Sequence, residues 1–186
     1  MVSDELPDAG FFLIASEDIH DSRFKESVIL VTRHHRGEAI GVVVNKPTNV
    51  EVDTLFPKNS LADKLAKPVY LGGPLAIKNL FFLIHSKHQP KASLRIFDNV
   101  YLSNDQKVLT EVLRHPKPFA GIRVFFGYAG WKRGQLESEI EQGSWHLRKA
   151  DSELLFHSDP DQMWHQLIDN LDQGLWVQQQ TKQANS

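Results

Sequence analysis

Apolar residues in this chain fall in short runs separated by glycine, proline, asparagine or clustered charge. The runs Phe11–Ala15, Ser27–His34, Ala39–Asn45, Pro68–Leu71, Asn79–His85, Asn99–Ser103 and Gly121–Tyr128 are rich in β-branched and aromatic side chains and read as strands. In Ser27–His34, Val28 and Leu30 point to one face of the pleat while Ile29 and Val31 point to the other. Ala39–Val44, Leu80–Ile84 and Ile122–Phe126 repeat that pattern. A strand apolar on both faces needs cover on both, so these four are predicted to be central strands of a covered sheet. Arg36-Gly37-Glu38 leaves room only for a hairpin link, so the sheet is predicted to be mixed, with at least one antiparallel pair.

Three segments carry helical spacing instead. Asn104 or Asp105 caps the first, whose stripe is Val108, Leu109, Val112 and Leu113, and Pro116 and Pro118 end it. The second, Gly134–Gln142, places Leu136 and Ile140 on one face and stops at Gly143. Its acids Glu137, Glu139 and Glu141 read as a solvated face. Ser158 opens the third, with Pro160 in the first turn and Met163, Trp164, Leu167, Ile168 and Leu171 as its stripe; Gly174 ends it. Residues 60–67 read as a further short helix. No internal repeat or linker interrupts the pattern, so the expectation is one compact α+β domain over residues 1–177 and a polar, frayed tail over 178–186.

Charge and composition then narrow the function. The chain has 21 Lys and Arg against 23 Asp and Glu, a net charge of −2, which gives no overall attraction to nucleic acid or anionic membrane. With no cysteine, a disulfide framework, a thiolate zinc site, an iron–sulfur cluster and a cysteine nucleophile are excluded. The first residues lack the basic region of a secretory signal, and no apolar run is long enough to span a bilayer. A cytoplasmic protein is expected.

Motifs for phosphate loops and for a nucleophile elbow are absent. His34 and His35 are neighbours on a strand and face opposite ways, so they do not chelate one ion. His85-x-x-His88 has no carboxylate close in sequence, and Glu17–Asp21 reads as a solvated acidic loop. No metal and no cofactor are predicted. The third helix carries Asp159, Asp161, Asp169 and Asp172, which does not suit a DNA groove.

The strongest local feature is Gly127-Tyr128-Ala129-Gly130-Trp131-Lys132-Arg133-Gly134-Gln135-Leu136-Glu137, read as a strand entering a glycine-rich turn and then a helix. Amide donors at the helix start, with Lys132 and Arg133, would suit a small anion. Asn45-Lys46-Pro47 and Leu71-Gly72-Gly73-Pro74 have the same punctuation after a strand. The candidate ligand-binding residues are therefore Asn45, Gly72, Gly73, Tyr128, Gly130, Trp131, Lys132 and Arg133.

These residues, with Phe12-Leu13-Ile14-Ala15-Ser16, Gly41-Val42-Val43-Val44-Asn45-Lys46-Pro47 and the block Phe126–Glu137 followed by Trp145, resemble the YqgE/AlgH family of bacterial proteins. The resemblance runs from about Phe12 to Trp164. It implies a single α+β domain with a mixed, strongly bent sheet and flanking helices in a cytosolic bacterial protein. It carries the family's label of transcriptional regulator, but no agreed catalytic residues, metal or cofactor. Two readings follow. One is a non-enzymatic regulatory or adaptor protein that acts through a protein partner, without direct specific DNA binding. The other is a binder of a small anionic metabolite, or an enzyme, whose site lies where the Asn45, Gly72–Gly73 and Gly127–Gly134 loops meet.

Overall fold

A computed structural model describes residues 6–58, 67–114 and 119–171. The expected helix over 60–67, the stops at Pro116, Pro118 and Gly174, and the tail from residue 178 lie wholly or largely outside those residues. Ten strands are described: β1 (Phe11–Ala15), β2 (Val28–His35), β3 (Glu38–Val43), β4 (Pro47–Glu51), β5 (Pro68–Leu71), β6 (Leu75–Ser86), β7 (Leu94–Phe97), β8 (Val100–Ser103), β9 (Phe119–Trp131) and β10 (Trp145–Lys149). The helices are α1 (Val52–Leu55), α2 (Lys107–Arg114), α3 (Gln135–Glu141), α4 (Ser152–His157) and α5 (Pro160–Asp169).

The sheet runs β10-β1-β2-β3-β9-β6-β8-β7, and β5 joins β9 in parallel through Tyr70 and Leu71. Every other pairing is antiparallel, so the sheet is mixed. The four strands with two apolar faces, β2, β3, β6 and β9, each have a neighbour on both sides, as the pattern predicted. Arg36 (φ 52°) and Gly37 (φ 80°) make the β2–β3 hairpin, both in the left-handed region that suits a two-residue reversal.

One apolar cluster joins the two ends of the sheet. Phe12, Ile14, Val28, Leu30 and Val42 from one end of the sheet share it with Tyr70, Leu83, Val100 and Phe125 from the other. Leu155 and Phe156 of α4 and Met163, Trp164 and Leu167 of α5 close it. Trp164 also donates its indole N–H to the Ala15 carbonyl at 2.8 Å, which pins α5 to β1. The opposite face of β1–β3 packs Phe11, Leu13, Ile29 and Val31 against Leu136, Trp131, Trp145 and Leu147. The second half of the sheet covers its outer face with Val108, Leu109 and Val112 of α2.

Several elements differ from the sequence reading. β6 begins at Leu75 rather than Asn79, and β4, β7, β10 and α4 were not foreseen. These segments are short and interrupted by charge, and their neighbours supply the pairing that their own pattern does not declare. Asp159, not Ser158, caps α5, accepting from the Asp161 amide, and α5 ends at Asp169, before the expected stop. Asp105 caps α2 through the Lys107 amide.

Candidate functional site

The largest correction concerns Gly127–Trp131. These residues are the end of β9, not a turn, and the reversal into α3 is made by Lys132–Gly134 alone. The strand changes partner here: Phe125 and Phe126 lie against β5 and β6, whereas Ala129–Trp131 pair with β3. Gly127, with φ 68°, makes the switch.

All three punctuated segments do come together, and they are closed by backbone packing. The Gly72 amide donates to the Phe126 carbonyl at 2.7 Å, the Val43 amide to Gly72 at 2.8 Å and the Leu71 amide to Lys46 at 2.8 Å. A Cβ on Gly73 would lie 2.1 Å from the Tyr128 carbonyl carbon, and one on Gly72 would lie 2.5 Å from the Gly127 oxygen. Asn45 is buried and ties strands, accepting from the Val28 amide and donating to the Glu26 carbonyl, each at 2.9 Å. Asn45, Gly72 and Gly73 therefore tie the sheet together, and none of them lines the groove formed by the other nominated residues.

The other five nominated residues line an open groove of about 780 Å³. Its floor follows from strand register. Arg33, Ile40 and Gly130 are successive partners across β2, β3 and β9, and Leu75 pairs with Tyr128 on the far side. Gly130 has no side chain to cover Ile40, and a Cβ there would meet Leu75 Cδ1 at 3.0 Å. Ile40 and Leu75 are left 37% and 44% exposed, and Ile77 further along β6 is exposed too. Round this apolar floor stand Arg33, His35, Arg36, Lys132 and Arg133, with Glu38 as the acidic residue among them. Among the described residues, none of these four Arg and Lys side chains is in an ion pair.

Two amides of the turn are already engaged. The Lys132 amide donates to Gln135 Oε1 at 3.1 Å and the Gly134 amide to the Gly37 carbonyl at 2.9 Å. Arg33, Arg36, Lys132 and Arg133 supply the positive side chains of the groove. The helix α3 is not a solvated acidic face. Glu137 is buried, with Oε1 at 2.8 Å from His34 Nε2, and Glu139 Oε2 accepts from the Trp131 and Trp145 indoles. Glu141 remains exposed. In the Glu17–Asp21 segment, Asp21 is taken up by Arg23, whose side chain holds the carboxyl below its ordinary value; the Arg23 guanidinium donates to it at 2.7 Å. Among the described residues, no three metal-ligating side chains gather.

The sequence profile of the AlgH-like family (DUF179) matches residues 12–176. The chain belongs to the AlgH-like family. A UPF0301 protein of Serratia proteamaculans is 36% identical over 168 residues, which cover 86% of this chain and 89% of the relative. The UPF0301 protein YqgE of Escherichia coli is 35% identical over 163 residues, 83% of this chain and 87% of the relative. The solution structure of AlgH from Pseudomonas aeruginosa superposes with a TM-score of 0.72 at 26% identity, covering 89% of this chain and 90% of AlgH. A crystal structure from Corynebacterium diphtheriae has the same fold, with a TM-score of 0.76 at 23% identity over 92% of this chain and 90% of that one. The names of these relatives state no activity.

In this AlgH-like chain, sequence reasoning missed Arg33, Arg36, Ile40 and Leu75. A signal was present for two of them. The apolar run of β2 breaks into Arg33 and His35, and Ile40 stands between small residues, which is what a strand shows as it leaves its cover. Leu75 follows a Gly-Gly-Pro break and announced only the end of a loop.

Proposed function

We propose that this protein is a non-enzymatic regulatory or adaptor protein, and that the groove between β2, β3, β6 and β9 receives an acidic partner segment bearing apolar side chains. The observation that carries the reading is the pairing of exposed Ile40 and Leu75 with four cationic side chains that have no ion-pair partner among the described residues. Apolar floor with a charged rim is the composition of a protein contact surface, where the floor gives affinity and the rim gives orientation and on-rate. The close backbone packing of Gly72 and Gly73 against Gly127 and Tyr128 supports a structural role for those loops.

Affinity purification of the wild type beside Arg33→Glu/Lys132→Glu and Ile40→Asp tests the reading. A protein retained by the wild type and lost by both variants, with binding that weakens as salt rises, is expected. An unchanged set of retained proteins overturns it. The same cations favour a second reading, a small anionic metabolite in the groove. A phosphate or dicarboxylate that raises the thermal midpoint of the wild type, but not of Lys132→Ala/Arg133→Ala, would select that reading instead.

A further inference from the structure

We propose that the cleft walled by His34 binds a small hydroxy acid, whose hydroxyl donates to His34 Nδ1 and whose carboxylate is held by Arg36 and Arg133. The cleft holds about 700 Å³, within the range of small-molecule sites. His34 lines it from β2, and its side chain is 5% exposed. Nε2 lies 2.8 Å from Glu137 Oε1, and an ionised carboxylate only accepts hydrogen bonds, so the ring proton is assigned to Nε2. That bond fixes the tautomer and leaves Nδ1 as a bare acceptor in the neutral ring. Among the described residues Nδ1 has no hydrogen-bond partner, yet it is not one of the closed, unserved atoms, which are Ser27 Oγ, His85 Nδ1 and Glu137 Oε2. A water-sized group therefore reaches His34 Nδ1 and does not reach Glu137 Oε2. Glu137 is a positioning residue, and His34 is the one that meets the ligand.

An acceptor on a buried side chain that is open and unserved calls for a donor from outside. The neighbours say what else that molecule carries. Arg36 and Arg133 line the same cleft, and a guanidinium prefers a carboxylate. Arg133 Nε donates to the Arg36 carbonyl at 3.2 Å and the Gly134 amide to the Gly37 carbonyl at 2.9 Å, so the two arms that carry them are held together. Beside two guanidinium groups, a hydroxyl reaches the buried ring at less desolvation cost than an ammonium. The acids of the cleft outside the His34 pair, Asp8 and Glu141, are exposed to water. A hydroxyl and a carboxylate on one small molecule meet both demands. The cleft adjoins the groove of the adaptor reading and shares His35, Arg36 and Arg133 with it. Of the two openings, His34 lines only the cleft, and Ile40 and Lys132 line only the groove, so variants at those residues tell the sites apart.

The test is calorimetric titration and thermal shift of the full chain with glycolate, lactate and malate. Each is run beside its deoxy partner, acetate, propionate or succinate, and alanine serves as the ammonium analogue of lactate. At least one hydroxy acid is expected to bind about tenfold or more tightly than its deoxy partner and to raise the midpoint by several degrees at saturation. Alanine should bind more weakly than lactate. His34→Gln keeps a donor for Glu137 but removes the Nδ1 acceptor, so it should fold and lose about tenfold or more in affinity. Arg133→Gln changes an exposed side chain and should weaken the hydroxy acid and its deoxy partner alike. Ile40→Asp and Lys132→Ala alter the groove alone and should bind the hydroxy acid as the wild type does, whether or not they lose the groove partner. In the wild type, the nitrogen-15 resonance of His34 Nδ1 should move along the same saturation curve, a readout that stands even if His34→Gln does not fold. The proposal is overturned if no hydroxy acid binds, if the deoxy partners or alanine bind as well, if folded His34→Gln keeps the wild-type affinity, if the Nδ1 resonance stays fixed at saturation, or if Ile40→Asp abolishes binding.

Discussion

Trp131 and Trp145 present their indole N–H groups to one oxygen, Glu139 Oε2, at 2.9 and 2.8 Å. Their rings meet edge to face, with centroids 6.1 Å apart and planes at 80°. The end of β9, the start of β10 and the middle of α3 are thereby joined through one carboxylate, which Gln135 steadies from its other oxygen at 3.0 Å.

Glu139→Ala removes the acceptor for both indoles, and both tryptophans are buried. A loss of about 1–3 kcal/mol is expected from denaturant melts, with a change in tryptophan emission. Glu139→Gln keeps an acceptor oxygen and should lose less. Equal stability of the alanine variant and the wild type would show that water replaces the carboxylate there.

Leu167 sits in the central cluster and is 2% exposed. Leu167→Ala should cost about 2–5 kcal/mol, since a cavity opens between α5 and β1. A loss below about 0.5 kcal/mol would mean that α5 is not part of the cooperative core.

Two glycines near the groove should respond differently. Gly73→Ala drives a Cβ into the Tyr128 backbone, so it should prevent folding or cost more than about 3 kcal/mol. Gly130→Ala meets only the tip of Leu75, a movable side chain, and should cost about 1 kcal/mol or less while filling the groove floor. Comparable losses at the two sites would contradict the packing described for the three loops.

His146 on β10 is partly buried, and burial disfavours its charged form, which lowers its pKa below the ordinary 6.5. The unfolded chain therefore binds the proton first as pH falls. Stability from this group is complete above about 6.5 and declines as the pH drops toward the lower folded value. Urea midpoints from pH 8 to 5 should fall less steeply in His146→Gln than in the wild type. Parallel curves would exclude this histidine as a contributor.

Direct DNA recognition is not expected. α2 turns Val108, Leu109 and Val112 into the core, and α5 carries Asp159 at its cap and Asp161 in its first turn. Fluorescence anisotropy at physiological salt should show similar affinity for a candidate operator and unrelated DNA. A preference of about a thousandfold or more would refute this.

The residues by themselves determined the strands with two apolar faces, the hairpin at Arg36-Gly37, the inward stripe of α5 and the membership announced by the Phe126–Glu137 block. Those features depend on local spacing and local backbone preference, which a chain declares without its neighbours. Only the tertiary structure decided that β9 continues through Gly127 to a new partner, because pairing belongs to two strands and only one of them is read at a time. It likewise decided the fate of the three acids on α3. Their spacing describes one helix, but whether a glutamate meets water, a histidine or two indoles depends on what β2, β9 and β10 bring against it. The groove is of the same kind: Arg33, Ile40, Gly130 and Leu75 are distant in the chain and become one surface only through register across four strands.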